Sequence, residues 1–200
     1  MRSIPKDPLA EFSRWYRFAK AAGARSLDAI VLATSDGRGR PSARVVLYKG
    51  ISAEGGFRVF TNYNSRKAKD LTANPSCALI FYWDQLDRQI RVEGKAIRLS
   101  SVENDEYWAT RPRLSQIGAW ASDQSAELPD RRQLLNKVKS FTRRFKGQDV
   151  PRPPHWGGYR IVPERIEFWY QKPGRLHRRI LFTRSARPRD DEWRGVELNP

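Results

Sequence analysis

Strand-length apolar runs lie on both sides of a helical middle, and they are joined by tight turns with no regular strand–helix–strand alternation. That arrangement constrains the fold more than any other feature of the chain. Ala29–Thr34 and Ser42–Lys49 flank Asp36-Gly37-Arg38-Gly39, and Glu54-Gly55-Gly56 leads into Phe57–Thr61. Such short turns join antiparallel neighbours, whereas parallel strands need a long crossover. Cys77–Trp83 and Gln89–Leu99 read as two longer strands. Tyr159–Val162, Arg165–Tyr170, Arg175–Thr183 and Glu192–Leu198 follow the helical middle. A lone C-terminal hairpin would be marginal, so these last strands are expected to join the first sheet. The expectation is a mainly β, α+β fold, an antiparallel barrel or sandwich with helices packed outside. One domain spanning 1–200, with a helical insert at about 101–146, accommodates the whole pattern.

Helices are expected at the start and in the middle. Asp7 can cap a helix whose first turn takes Pro8, with Leu9, Phe12, Tyr16 and Ala19 at helical spacing and Gly23 after its end. A short helix follows Ser65 as far as Ala73, another spans Val102–Arg111, and Pro112 begins a new segment. Asp130–Phe145 is amphipathic, with Leu134, Leu135, Val138, Phe141 and Phe145 on one face and six basic residues largely on the solvated side.

The charge balance points to anionic partners. Thirty-eight Lys and Arg against 22 Asp and Glu leave a net charge of +16, which attracts nucleic acid, anionic membrane or phosphorylated small molecules. One cysteine, Cys77, excludes an internal disulfide framework, and with only His155 and His177 beside it a Cys/His zinc site is not expected. His155, beside prolines and an aromatic residue, is expected to pack. Met1–Lys6 carries no apolar leader core and no apolar run approaches about 18 residues, so a soluble, cytoplasmic protein is expected.

Four basic clusters have the makings of small-anion sites. Arg66 and Lys67 fall in the first turn of a helix capped by Ser65, where cations oppose the helix dipole unless an anion binds the free N–H groups. Arg44 and Lys49 bracket Val45, Val46, Leu47 and Tyr48. Alternation sets Arg44, Val46 and Tyr48 against Val45, Leu47 and Lys49, with both charges expected at strand ends. Tyr107 and Arg111 share a helix face, with Ser115 just beyond, a set that can clamp a phosphate or carboxylate. Arg175, His177 and Arg179 alternate along an expected strand, which would project all three from one face. Taken singly, each cluster also fits solvated or packed surface residues. Together they suit two phosphorylated ligands better than one. No Gly-rich phosphate loop, dinucleotide fingerprint or Ser-His-Asp arrangement is present.

The same clusters carry a resemblance to the pyridoxamine 5′-phosphate oxidase family. In order they are Arg44-Val-Val-Leu-Tyr-Lys49, Phe60-Thr-Asn, Ser65-Arg-Lys67, Arg88-Gln89, Arg111-Pro-Arg-Leu-Ser-Gln-Ile-Gly-Ala-Trp120, Gln124-Ser125, Glu167-Phe-Trp169 and Arg175-Leu-His177. The resemblance runs over nearly the whole chain and implies a split β-barrel homodimer with FMN at the subunit interface. It places FMN contacts on Arg44, Val45, Val46, Leu47, Tyr48 and Lys49, on Phe60, Thr61, Arg66 and Lys67, and on Gln89, Gln124, Ser125, Trp169 and Arg179. The substrate's phosphate and ring would meet Lys49, Tyr107, Arg111, Ser115, Arg175 and His177, the last two covering the ring and orienting C4′.

The implied reaction oxidises pyridoxamine or pyridoxine 5′-phosphate to pyridoxal 5′-phosphate. A hydride passes from C4′ to flavin N5, and O2 accepts the electrons to give H2O2. Two departures from the family pattern stand out. The chain begins just before the first helix, without the N-terminal extension that many members place over the substrate. Arg178 stands where members that make pyridoxal phosphate usually have Asp. At that point the chain resembles related flavin oxidases of phenazine biosynthesis, which act on a reduced tricyclic substrate. The intact Arg111–Trp120 stretch favours the vitamin B6 reaction. The alternative of another class is a basic nucleic-acid-binding module without enzymatic activity.

Overall fold

A computed structural model of the chain describes residues 4–185 and 192–200. Helix α1 (Pro8–Ala21) opens the fold, with the Asp7 carboxylate accepting from the Leu9 N–H at 2.8 Å. Strands β1 (Ala29–Ser35), β2 (Pro41–Ile51) and β3 (Phe57–Asn62) follow, then α2 (Arg66–Ala73), β4 (Ser76–Trp83) and β5 (Arg88–Arg98). The middle is α3 (Ser101–Ala109), α4 (Arg113–Ala121) and α5 (Arg131–Arg144). The chain ends in β6 (Trp156–Tyr170), β7 (Arg178–Arg184) and β8 (Trp193–Leu198).

All eight strands form one antiparallel sheet in the order β3-β2-β1-β4-β5-β6-β7-β8, and β6 pairs back onto β3. Six strands therefore close into a barrel while β7 and β8 extend beyond it, which is a split β-barrel with peripheral helices. The last strands do join the first sheet.

Strand β6 makes this possible. Its first half pairs with β3 and its second half with β7, while β5 runs beside both. The expected break into Tyr159–Val162 and Arg165–Tyr170 is instead one strand with a bulge, where Pro163 opposes Gly94 and Arg165 opposes Glu93. Proline lacks the N–H that a ladder uses, so it suits a bulge and reads in sequence as a break. A Cβ on Gly94 would lie 2.0 Å from the Val162 carbonyl oxygen. Gly94→Ala is therefore expected to destabilise the protein by about 1–3 kcal/mol, as overpacking does. Denaturant unfolding measures it, and an unchanged midpoint would contradict the close approach.

Two cores result. The barrel interior holds Ile30, Leu32, Phe57, Phe81, Ile90 and Phe168, plugged by Phe12 and Trp15 of α1. A second cluster of Trp108, Ile117, Phe145, Val150 and Trp156 binds the helical cap to the start of β6. Helix α4 occupies the segment after Pro112 that had no assignment. Its Leu114, Ile117 and Ala121 recur at helical spacing, but only Ile117 and Ala121 are buried and Leu114 is exposed. On α5, Leu134, Val138 and Phe141 pack inward, whereas Leu135, expected beside them, is exposed. No helix among the described residues is long and apolar enough to cross a membrane.

Candidate active site

Ser65 caps α2 by its backbone, yet its buried hydroxyl bonds no helix N–H. It lies 3.4 Å from Lys67 Nζ and 3.5 Å from Thr61 Oγ1. Lys67 Nζ donates to Thr61 Oγ1 at 3.1 Å and to Gln124 Oε1 at 3.3 Å. The same Gln124 oxygen accepts from Thr61 Oγ1 and the Asn62 N–H. Only neutral oxygens hold this ammonium, and no described carboxylate lies in ion-pair range. Burial, then the neighbouring Arg44, lower its pKa. A half-buried cation beside helix N–H groups that lack a side-chain cap is chemically suited to an anion.

Arg111 has the same character. Its guanidinium lies over Trp156 at 4.6 Å and Trp108 at 5.6 Å, and Nη2 donates to the Ser115 carbonyl at 3.1 Å. Its Nε is buried with no hydrogen-bond partner, and burial lowers its pKa. Tyr107 stacks on Phe60 at 3.9 Å. Phe60, Thr61, Arg111, Ser115, Gln124 and Trp156 line a cleft of about 300 Å³. Gln124 and Ser125 also face Arg66 and Lys69 across an adjoining cleft of about 410 Å³. Ser125 holds a left-handed φ of 71° at this corner.

Strand β2 divides its residues as alternation requires. Val45 and Leu47 are 66% and 54% exposed, with Lys49 on their side. Lys49 therefore does not join Tyr107, Arg111 and Ser115 in the cleft of a single chain. Val46 packs against the barrel core, and the Tyr48 ring lies within it beside Phe12 and Phe81. Burial raises the Tyr48 pKa. Arg44 and Lys49 sit within β2 rather than at its ends. Arg44 is built into the wall, donating to Thr34 Oγ1 at 2.6 Å and Ser42 Oγ at 2.9 Å, with Asp70 at 3.6 Å.

The remaining candidates gather at the far end of β6. Gln89 pairs with Trp169, and Trp169 with Arg179, across β5, β6 and β7. The His177 ring lies 4.6 Å from the Trp169 ring, and its Nδ1 accepts from the Lys172 N–H. Neither Arg175 nor His177 lies on the strand that carries Arg179, because β7 begins at Arg178. Residues 173–175 form a turn in which Gly174 and Arg175 take φ values of 65° and 60°. An exposed Arg175 after a left-handed glycine breaks the expected alternation. Twelve residues of β6 separate Gly157, opposite Thr61, from Trp169. At about 3.3 Å per residue that contour is on the order of 40 Å. One chain thus carries two groups of candidates at the two ends of one strand.

Ser65, expected as the cap of the basic turn, instead turns its hydroxyl to Lys67, whereas Trp156 lines the cleft without a mark in the sequence. The available signal is Gly157-Gly158 after Trp156, since a Cβ on either would strike Tyr63 or Phe60. His155 packs as expected, with Nε2 3.2 Å from the Ala119 carbonyl.

The closed six-stranded barrel, the helical cap and the cationic rim cleft define a split β-barrel of the class found in FMN-binding proteins. A pyridoxamine 5′-phosphate oxidase-related, FMN binding protein from Nostoc punctiforme shares the fold with a TM-score of 0.78 at 16% identity, covering 98% of this chain and all of that one. Residues 19–144 match the family model described as pyridoxamine 5′-phosphate oxidase, and residues 156–200 that of the pyridoxine 5′-phosphate oxidase C-terminal dimerisation region. The chain belongs to the pyridoxamine 5′-phosphate oxidase family. It is 52% identical to a pyridoxine/pyridoxamine 5′-phosphate oxidase of Rubrobacter xylanophilus, over 97% of this chain and 87% of that protein. A protein of the same name from Paraburkholderia xenovorans is 49% identical, over 98% and 91%. PhzG from Burkholderia lata, solved in complex with tetrahydrophenazine-1-carboxylic acid, superposes with a TM-score of 0.92 at 33% identity, over 99% and 95%.

Proposed function

We propose that this protein is an FMN-dependent oxidase that converts pyridoxamine or pyridoxine 5′-phosphate to pyridoxal 5′-phosphate with O2. The observation that carries the reading is the pair of half-buried cations, Lys67 and Arg111, with no described carboxylate in ion-pair range: Thr61 and Gln124, which hold Lys67, line one cleft with Arg111. Two monoester phosphates satisfy them, one from cofactor and one from substrate. A nucleic-acid module would need no such burial, because phosphate backbones are met by solvated cations.

The residues fit FMN. Arg66, Lys67 and the uncapped start of α2 are donors suited to its phosphate, while Thr61, Gln124 and Ser125 border it. The Tyr48 ring is committed to the core, so only its backbone is free to serve. Gln89, Trp169 and Arg179 stand at the other end of β6 and would reach the same flavin from a second copy. The dimerisation-region match over 156–200 and the exposed Val45 and Leu47 support this shared site. Tyr107, Arg111 and Ser115 would anchor the substrate phosphate, with Lys49 reaching it across the interface region. Arg175 and His177, from the second copy, would cover the ring and hold C4′ toward the flavin. When bound, FMN would supply the two-electron acceptor for a hydride from C4′, with O2 reduced to H2O2; the alcohol then gives the aldehyde directly, and the amine gives an imine that water hydrolyses to the aldehyde and ammonia. The protein's own part is positioning and exclusion of water, which needs no nucleophile. The whole chain acts as one domain on this reading.

The second reading is a phenazine-type oxidase, favoured by the PhzG superposition and by Arg178. Arg178, however, faces away from Arg179 along β7 and pairs with Glu197 at 3.2 Å. Arg178→Asp should cost that ion pair and leave turnover of pyridoxamine 5′-phosphate within about a few-fold, as for a residue outside the site. A larger loss in steady-state turnover would place Arg178 at the substrate. The two readings separate in one experiment on the FMN-loaded protein without oxygen. Pyridoxamine 5′-phosphate should bleach the visible flavin band, and air should restore it with H2O2 and pyridoxal 5′-phosphate formed. Bleaching by a reduced phenazine carboxylate alone would establish the second reading.

A further inference from the structure

Cations near the candidate site fall into two kinds. Among the described residues Lys67 and Arg111 have no carboxylate in ion-pair range, whereas Arg179 has Glu167. A neutralised arginine adds little attraction for a phosphate, so Arg179 calls for another role. Glu167 is 6% exposed, on β6, two residues before Trp169 and therefore on the same face. Its Oε1 accepts from Arg179 Nε at 2.7 Å, and its Oε2 lies 3.8 Å from Arg91 Nη1. Arg91 in turn donates to Glu93 at 2.6 Å. The Asn199 carbonyl accepts from Arg179 Nη1 at 3.3 Å. Acceptors on two different nitrogens fix the plane of a rigid guanidinium. Its Nη2 is left without a protein partner among the described residues, beside Trp169, which is Arg179's partner across the β6–β7 ladder.

We infer that Glu167 is a positioning residue for the flavin end of the site, fixing the Arg179 guanidinium and cancelling its charge so that Arg179 presents directed N–H donors to the polar edge of the ring. The inference rests on the reading that Arg179 meets flavin. Neutral directed donors suit a ring carbonyl or nitrogen, while the phosphate has its own cations at Lys67 and Arg66. Loss of the carboxylate would leave Arg179 uncompensated beside the ring, while Arg91 keeps Glu93. Reduction adds negative charge there, so the flavin potential should rise.

Glu167→Gln, Arg179→Ala and the double variant test this in the full-length protein, loaded with FMN or with riboflavin. Glu167→Gln is expected to weaken both flavins by about tenfold, as loss of one charge-assisted hydrogen bond does, and to shift the potential upward. In the Arg179→Ala background the same change should have no further effect on affinity. Glu167→Asp keeps the charge, so it should lower affinity without moving the potential, which covers the case of a Gln variant that does not fold. Additive losses in the double variant, or an unmoved potential in Glu167→Gln, would overturn the inference and leave Glu167 a strut of the sheet. Unchanged flavin affinity in Arg179→Ala would instead overturn the underlying placement of Arg179.

Discussion

Arg111→Ala is expected to raise the KM for pyridoxamine 5′-phosphate by about ten- to a hundredfold, the worth of a charge-assisted hydrogen bond, while kcat stays within a few-fold. The phosphate does not react, so its clamp contributes binding shared by ground and transition states. Arg111 is suited to the task because its charge is already partly desolvated: its Nε is buried with no partner among the described residues, and its guanidinium lies over the Trp156 and Trp108 rings. Steady-state kinetics under air with H2O2 as readout decide it. Turnover indifferent to the substitution would end the vitamin B6 reading. Preserved oxidation of a reduced phenazine carboxylate by the same variant would favour the alternative.

Lys67→Ala should weaken FMN by about ten- to a hundredfold and leave riboflavin, which lacks the phosphate, nearly untouched. Lys67 is the half-buried member of the Ser65-Arg66-Lys67 turn, and Arg66 is exposed, so the lysine should dominate. Its lowered pKa adds a pH signature. Below that pKa the ammonium is charged and the phosphate is held. As pH rises through it the charge is lost, and FMN affinity should fall at a lower pH than an ordinary lysine would dictate. Fluorescence titrations of both flavins across alkaline pH measure the difference. Equal losses for the two flavins would show that Lys67 supports the fold instead.

Much of this architecture is legible in residue order because local signals agree with it. Asp7 and Pro8 start α1, Asp36–Gly39 turns β1 into β2, and Ser65 opens α2 where expected. The misreadings share one cause: tertiary packing overrides a local signal. Pro163 looks like a strand end and is a bulge held by β5. Arg175 continues an alternation on paper, but Gly174 turns the backbone out of it. Barrel closure, the pairing of β3 with β6, joins residues about a hundred positions apart and leaves no trace in spacing. For the site, the clusters were visible as charge, but which charges lack partners was not. That distinction depends on Asp70 beside Arg44 and Glu167 beside Arg179, against no described carboxylate in ion-pair range of Lys67 or Arg111.

The uninterrupted run of β6 has a genetic consequence if the site is shared between two copies. Each chain lends its Thr61–Lys67–Arg111 end to one site and its Trp169–Arg179 end to the other. A chain damaged only at Arg111 and a chain damaged only at Arg179 would each make homodimers with both sites impaired, the first in substrate KM and the second in flavin affinity. Mixed together, they place both lesions in the same site and leave its twin whole. Two impaired alleles should then complement, with turnover at low substrate and low FMN returning in proportion to the mixed dimers formed. Two alleles damaged at the same end, such as Lys67→Ala with Arg111→Ala, should not.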